Sequence, residues 1–521
     1  MHVSLQNISF RKSFLLAFVS GFVVRLIPEV LSYPYPIGFD TIYYAWRIES
    51  GVVWYHWSQM FSTWLLYGIL VPIYNVVSGD PFLLLKLMAP LLFGFNACGI
   101  YYFATRTFAW TTKKALLAAV FFSFQIAALA ISWQYARNML GLGILLFALP
   151  WIHKGLKTKR ELGLFALLSI LVVLSHELAS VILFAVVLGI VASGYLRNQS
   201  KTYAFKVLMA VLPAFVVFLV GAFFVSPVSQ FTQENVIVAY QSAGHYEGLF
   251  FFFTNYLVVY DTVQHYSTYL DLVSHVFSLF SVFFIIILPL VFAGFFRDKV
   301  LDGWSVLLLV GSFGALITPF FALNGWHRWM RMLVYPFTFY AVNGVERVLH
   351  STGESVTPAF RWLRWLKLSK RTAKSILVLS FSVGSLFVAV PLFSGRAGLF
   401  GFPTTTSYLP SSMLSNSVPV QDVEGVVGTM EWLNVEMSDG SALLAHDAFL
   451  PWAELCLDGG HMKVYFKDDI EGAVAVALER GFDPIYLVWW SENIGWYGLS
   501  VPEDFINLFS SGRIAVFENH S

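Results

Sequence analysis

The run SFLLAFVSGFVVRLIPEVL (Ser13–Leu31), followed at once by SYPYPIGFDTIYY (Ser32–Tyr44), decides the fold class. A helix that crosses a bilayer needs about 20 mostly apolar residues, and Ser13–Leu31 has that length and character. Arg11 and Lys12 precede it, and no small-residue cleavage site follows. It therefore reads as a first transmembrane helix, not as a removable signal peptide. Two prolines and a glycine in the second run force a turn, and Asp40 is its only acid.

The rest of the chain has the same texture. Hydrophobic residues make up 57% of it, aromatic residues 18% and charged residues only 12%, and the mean hydropathy is +0.69. A soluble domain carries about 25% charged residues, so a chain this poor in charge presents much of its surface to lipid. The formal net charge of +1 points to no partner, and nothing in the sequence points to nucleic acid. Cys98 and Cys456 are the only cysteines and offer neither a disulfide framework nor a thiolate metal site.

Further apolar spans run over residues 82–104, 115–131, 139–152, 162–174, 179–192, 207–225, 276–295, 305–323, 333–345 and 376–393, giving about eleven transmembrane helices. Residues 60–77 form one more apolar stretch, and charge decides how it lies. Basic clusters occur at Arg106/Lys113/Lys114, Lys154/Lys157/Lys159/Arg160, Arg197/Lys201/Lys206, Arg297/Lys299 and Arg361/Arg364/Lys367/Lys370/Arg371/Lys374. Loops rich in Lys and Arg stay in the cytoplasm. All five clusters fall inside only if residues 60–77 do not cross, so this stretch is expected along the outer interface. The predicted topology has a cytoplasmic N-terminus in the cell membrane. Outer loops lie at 32–59 and 226–275, and an extracytoplasmic C-terminus follows.

Beyond the multi-pass region (1–394) the composition changes. Residues 395–417 are rich in Gly, Pro, Ser and Thr and read as a linker. Residues 418–521 read as a small α/β domain, with strands at 442–445, 462–466, 484–490 and 513–517 and helices at 449–457, 470–480 and 502–509. The expected fold class is thus a polytopic α-helical membrane protein with a small C-terminal α/β soluble domain.

A few residues stand out as carriers of chemistry. Asp40 sits among aromatic rings, where partial desolvation raises a carboxyl pKa and makes a better base; the other reading is a solvated aspartate capping the helix that starts near Thr41. Arg137, Arg328 and Arg331 oppose the positive-inside bias at outer turns, amid Trp and His, which suits a phosphate with a long apolar tail; the alternative is headgroup snorkelling. Arg328 and Arg331 are spaced to share a helix face. His176 and Glu177 form an ionisable pair at a hairpin tip, where Glu177 offers a second acid or metal ligand and His176 a phosphate contact, or where both simply satisfy a polar turn. Arg25 and Glu29, four apart in the first helix, read as an intrahelical ion pair. In the long outer loop His245, Glu247, Asp261 and His265 are candidates for acceptor contact, and their spacing fits no metal motif.

A first span, an outer loop with an aspartate in Gly38-Phe39-Asp40-Thr41-Ile42-Tyr43-Tyr44, an interfacial helix ending Ser78-Gly79-Asp80-Pro81, short hairpins, an arginine-rich outer turn and a displayed α/β domain together resemble the C-type glycosyltransferase superfamily (GT-C). That group includes protein O-mannosyltransferases, aminoarabinose transferases and the catalytic subunit of oligosaccharyltransferase. The resemblance implies a hexosyl- or pentosyltransferase with a polyprenyl- or dolichyl-phosphate sugar donor, an essential acid at Asp40, and a protein or glycan acceptor. Many members carry a second acid in the next outer turn; here that turn holds Arg137 and Asn138, so a divalent metal (Mg or Mn) would need Glu177. The Trp489-Trp490-Ser491-Glu492 segment differs in position from the Trp-Trp-Asp motif of oligosaccharyltransferases. Two other classes share the composition: a lipid flippase or transporter, which should show repeats and mid-membrane charges, and a non-catalytic assembly subunit.

Overall fold

The computed structural model describes residues 10–38, 40–51, 61, 64–77, 79–196, 201–225, 234–239, 259–260, 269–316, 322–323, 326–351, 355–356, 367–389, 414–415, 418–467, 469–492 and 499–519. The helices of the N-terminal body are α1 (Phe10–Leu31), α2 (Thr41–Ser50), α3 (Leu65–Val77), α4 (Pro81–Thr107), α5 (Thr112–Ser123), α6 (Ile126–Gln134), α7 (Ala136–Lys154), α8 (Lys159–Ser175), α9 (Glu177–Leu196), α10 (Lys201–Phe224), α11 (Tyr269–Phe284), α12 (Leu288–Gly294), α13 (Lys299–Phe313), α14 (Trp326–Met332), α15 (Val334–His350) and α16 (Lys370–Ala389). Among the described residues, five helices (α1, α4, α7, α10 and α16) are long and apolar enough to cross a bilayer. The number is seven if the bent pairs α5–α6 (59°) and α11–α12 (74°) are each one span. The expected eleven includes shorter helices that fall below that length.

The outer faces of these helices expose Leu15, Leu16, Val19 and Val23 on α1, Leu208, Leu212 and Phe215 on α10, and Val378, Leu379 and Leu386 on α16. Apolar surface of that extent marks a face that lipid or protein covers. Between helices, packing is close. A Cβ on Gly294 of α12 would overlap the Tyr340 carbonyl oxygen, and one on Gly344 of α15 would overlap that of Leu290. Small residues on both sides let these backbones touch, the usual means of helix association without a hydrophobic driving force.

The body has two chemically distinct ends. At one end lie Arg106, Lys114, Lys154 and Lys159, together with the starts of α10, α13 and α16. Helix α8 begins there with a capping box, in which Thr158 Oγ1 accepts from the Glu161 N–H (3.2 Å) and Glu161 Oε2 from the Thr158 N–H (3.1 Å). The Asp298 carboxylate caps α13, accepting from the Val300 and Leu301 N–H groups (3.0 Å each), and Lys114 pairs with Glu346 of α15. The α1–α2 turn, α3 and the junctions α6–α7 and α8–α9 gather at the other end, beneath the C-terminal domain. Helix α3 stays at this end: Tyr67 near its start packs against Tyr44 (6.0 Å between ring centroids), and soon after its last residue Phe82 packs against Trp452 of the domain (6.0 Å).

The domain is built on a six-stranded sheet of β1 (Val236–Val238), β2 (Ala442–His446), β3 (Met462–Phe466), β4 (Ile485–Trp490), β5 (Phe505–Ser511) and β6 (Ile514–Asn519), in the order β1-β3-β2-β4-β6-β5. The first four strands run parallel, and β4, β6 and β5 are antiparallel neighbours. Strands β2 and β4 are buried along their whole length, as expected when helices cover both faces. Those helices are α17 (Val420–Glu436), which the sequence reading leaves unassigned, α18 (Leu450–Cys456) and α19 (Ile470–Glu479).

Two features differ from expectation. Residues 502–509, expected to be helical, supply strand β5. Gly512 (φ +58°) closes a hairpin that pairs β5 with β6, and Phe509 stacks on Trp432 (5.3 Å). Pairing with β6 overrides the helix-like spacing of Phe505 and Phe509. The edge strand β1 comes from the long loop of the membrane body, with Val236 opposite Lys463 and Val238 opposite Tyr465. Residues 236–238 are thereby part of the domain sheet. Trp489 and Trp490 are buried core, and the Trp490 indole N–H donates to Asp422 (3.2 Å).

Domain and body share a seam. Tyr35, Phe82 and Trp452 form an aromatic triangle with centroid separations of 5.9, 6.0 and 6.3 Å, and Ile42 of α2 is buried in the domain core.

Candidate functional site

The site is assembled on the turn that the sequence singled out. A buried ionic cluster anchors this turn. Arg25 and Glu29 form the expected ion pair (2.7 Å), both fully enclosed. Lys86 of α4 joins them (3.4 Å) and donates to Ser32 Oγ (3.0 Å) and the Tyr35 carbonyl (2.7 Å). Glu29 accepts from the Ile37 N–H (3.3 Å), and Arg25 donates to the Ile37 carbonyl (3.3 Å). At Gly38 (φ +139°) any side chain would be strained, and its Cβ would strike the Trp133 carbonyl oxygen. The Thr41 hydroxyl donates to the Gly38 carbonyl (2.8 Å). Backbone on both sides of this turn is therefore fixed just before Asp40.

Asp40 occupies the N-cap position of α2, yet its side chain makes no capping bond. The cap reading is thus excluded. The carboxylate is half-buried and stands within electrostatic reach of Arg328 and Arg137. Among the described residues no cation comes within the 4.0 Å of a salt bridge to it. Burial raises its pKa, and the two guanidinium groups oppose that rise. Arg137, at the start of α7, donates to the Tyr44 hydroxyl, whose pKa is pushed up mainly by burial and next by Asp40. Tyr67 of α3, in reach of Arg47, Arg137 and Asp40, is pushed up to about 12 by burial.

The two arginines of α14 take different positions. Arg328 stands over the Tyr135 ring (5.0 Å), within electrostatic reach of Asp40 and of the His176 ring. Arg331 is completely buried, donates to Gln134 Oε1 and the Tyr135 hydroxyl, and lies over Tyr135 (5.2 Å) and Phe283 (6.0 Å). It is not among the charges that act on Asp40. Arg331 thus ties α14 to the α6–α7 junction from which Arg137 projects.

His176 connects α8 to α9. Its Nδ1 accepts from the Leu178 N–H (3.1 Å). Burial, then Arg137 and Arg328, hold its pKa well below the ordinary imidazole range, so it is neutral. Glu177 Oε2 lies 3.7 Å from Nδ1, a contact that carries no ion pair to a neutral ring. Glu177 is absent from the charges acting on Asp40. His245, Glu247, Asp261 and His265 lie outside the described residues.

Among the described residues no three of His, Cys, Asp and Glu gather as a metal would require. Among the described residues the charges acting on Asp40 are the cations Arg328 and Arg137, and the nearby His176 ring is engaged through Nδ1. Among the described residues this donor set suits an anion, and its two guanidinium groups would repel a divalent cation.

Sequence reasoning passed over Lys86, Tyr44, Tyr67 and Arg47. Lys86 is a cation inside an apolar span, a signal that marks function or pairing. Arg47 follows Asp40 by two helical turns on an aromatic helix, a spacing that puts both on one side.

The helical body beneath an α/β domain seated on the first loop is a fold that this chain shares with solved structures. In structure it is similar to the arabinofuranosyltransferase AftD from Mycobacteria, with a TM-score of 0.52 and 11% identity over 99% of this chain and 40% of that one. The R1389S mutant of AftD matches at a TM-score of 0.51 and 12% identity, over 98% of this chain and 42% of the other. This chain spans about two fifths of AftD, and at this identity the likeness concerns the fold. The Archaeoglobus fulgidus oligosaccharyltransferase AglB, in complex with an inhibitory peptide and a dolichol-phosphate, overlaps at a TM-score of 0.45 and 12% identity over 92% of this chain and 70% of that one. No family model matches the sequence, and no curated protein matches it.

Proposed function

We propose that the chain is a glycosyltransferase that moves a sugar from a lipid-phosphate carrier to an acceptor at the membrane face bearing the α/β domain. One observation carries this reading: the half-buried Asp40 carboxylate faces Arg137 and Arg328 across a gap that neither guanidinium closes. An acid poised as a base and two cations suited to phosphate are what a direct displacement needs.

Asp40 takes the proton of the acceptor hydroxyl as its oxygen bonds to the anomeric carbon. The bond from that carbon to the phosphate oxygen breaks, and the electron pair leaves with the lipid phosphate. Arg137 and Arg328 stabilise the charge that grows on that oxygen, while neutral His176 adds a hydrogen-bonding group without opposing the cations. Arg331 holds α14 in place. No covalent intermediate is required, and no step is routed through a metal. AftD is an arabinofuranosyltransferase, so a pentofuranosyl donor is the first to try. The acceptor is a protein or glycan.

Topology follows the charge. The end rich in exposed Lys and Arg faces the cytoplasm, which puts Asp40 and the domain outside. The alternation of helix ends supports eleven crossings, with α8, α9, α13 and α15 as shorter, tilted spans and α3 along the outer interface.

The test is transfer by the purified full chain, given a panel of radiolabelled polyprenyl-phosphate sugars and scored by label lost from the lipid. Asp40→Asn is expected to abolish transfer with folding intact, and Arg328→Gln to slow it roughly 100-fold, the effect of removing one donor to developing charge. Full activity in the Asp40→Asn protein would end this assignment.

A further inference from the structure

Arg47 of α2 is 3% exposed, yet its Nε and Nη2 have no hydrogen-bond partner and it belongs to no salt bridge among the described residues. Its guanidinium lies over the rings of Tyr43 (4.7 Å) and Tyr67 (5.4 Å). The Tyr67 hydroxyl is also buried without a partner. Two buried donor groups without hydrogen-bond partners thus lie on neighbouring side chains, the guanidinium 5.4 Å from the centre of the ring that carries the hydroxyl.

Ring contacts alone do not balance a buried cation. A desolvated cation–π contact offsets only part of the cost of taking a guanidinium out of water without a counter-ion. An anion that accepts from both Arg47 and the Tyr67 hydroxyl would make up the difference. The spot is beside the reaction centre and separate from it. Tyr67 is in reach of Asp40 and Arg137, while Arg47 follows Asp40 by two turns of α2, about 10 Å along the axis. The cations facing Asp40 across the gap are Arg137 and Arg328. Arg47 is not among them.

We infer that Arg47 and Tyr67 form an acceptor subsite for an anionic saccharide, one carrying a carboxylate or phosphate about one sugar unit from the hydroxyl that attacks. The tyrosine faces suit the apolar side of a sugar ring, and the paired donors suit its anionic substituent. This inference rests on the transferase reading, and the experiment below separates the two.

Binding to the purified full chain in detergent is measured for four probes: a short-chain polyprenyl phosphate, glucuronate, glucose 6-phosphate and neutral methyl glucoside. Inorganic phosphate serves as competitor, to separate a saccharide site from a phosphate site. The wild type is expected to bind glucuronate or glucose 6-phosphate well above methyl glucoside and above free phosphate. Arg47→Gln and Tyr67→Phe should weaken that binding roughly 10- to 100-fold, as for a lost charge-assisted hydrogen bond, and Arg328→Gln should not. Polyprenyl phosphate should show the reverse pattern. Should Arg47→Gln fail to fold, Tyr67→Phe and Arg47→Lys decide, each checked by an unchanged melting temperature. Unaltered anionic-sugar binding in those variants overturns the subsite, as does a loss of polyprenyl phosphate that equals the loss in Arg328→Gln, which would make Arg47 part of the donor site. Binding of free phosphate as tight as that of either sugar anion also overturns it. Failure of the wild type to bind polyprenyl phosphate counts against the transferase reading alone.

Discussion

Glu29→Gln removes one negative charge from a cluster that holds two positive ones, and the structure sets the size of the effect. Glu29 is the only acid in contact with Arg25 (2.7 Å) and Lys86 (3.4 Å) among the described residues, and all three are buried. Glutamine keeps the shape. It places an amide N–H₂ against donors that need an acceptor, and it leaves two buried cations with only the Ile37 and Tyr35 carbonyls, Ser32 Oγ and the Trp133 ring face as partners. Breaking a buried pair from one side costs about 3–5 kcal/mol. Lys86→Met keeps the Arg25–Glu29 pair and loses the bonds to Ser32 and Tyr35, so its cost should be nearer 1–3 kcal/mol. The double variant should be less damaging than the sum, because each change relieves part of the imbalance left by the other.

The assay is reversible unfolding in mild detergent by titration with a denaturing detergent, followed by tryptophan fluorescence, alongside sugar transfer at constant fold. The same cluster positions the backbone at Tyr35 and Ile37, so transfer by Glu29→Gln should fall even where the protein is folded. If Glu29→Gln lowers stability by less than about 1 kcal/mol, the cluster is not the counter-charged network described, and the argument that it fixes the Asp40 turn fails.

Two further predictions concern pH. Because burial raises the Asp40 pKa and the guanidinium groups oppose it, the base form grows as pH rises through a value above the usual aspartate range; transfer should therefore fade on acidification earlier than an ordinary carboxylate would dictate, and Arg328→Gln should move the midpoint higher still. A downward shift in that variant would contradict the electrostatic link. In the α/β domain, the buried ring of His446, edge-on to Trp489 (5.2 Å), has its pKa lowered to about 4, mainly by burial. A depressed folded-state pKa means stability is fully present above the unfolded value of 6.5 and is lost as pH falls toward 4, by about 2 kcal/mol at pH 5 and about 3 kcal/mol in all. Comparing domain unfolding at pH 7 and pH 5 in wild type and His446→Phe checks this, since the variant should lose that part of the pH dependence.

The sequence carried the plan of the molecule further than its details. Asp40 stands out in the sequence as a lone acid among rings, and Arg137 and Arg328 as cations that break the bias of the loops; the structure brings both arginines within electrostatic reach of Asp40. Strands β2, β3 and β4 were legible as short apolar runs between turn residues. Strand β1 was not, since three residues of a long loop gain their strand character only by pairing with Lys463–Tyr465. Strand β5 failed for a related reason: its spacing reads as helical until β6 is beside it. The separation of Arg328 from Arg331 is likewise a tertiary fact. Equal spacing on α14 says nothing of Gln134 and Tyr135, which claim one of the two.

The cations proposed to bind substrate differ from those of the loops in burial, which sequence does not display. Lys113, Lys157, Lys159, Arg160 and Lys374 are exposed, where water screens each of them. Arg47 and Arg331 are enclosed, and with half-buried Arg137 and Arg328 they outnumber the single carboxylate of Asp40. A pocket that keeps such a surplus out of water stores unfavourable desolvation that only an incoming anion relieves. The donor phosphate proposed at Arg137 and Arg328 and the charged acceptor inferred at Arg47 draw on one positive field, with Tyr67 in reach of both Asp40 and Arg137: an anion at either subsite lowers the potential felt at the other, so occupancy of one should weaken binding of a second anion.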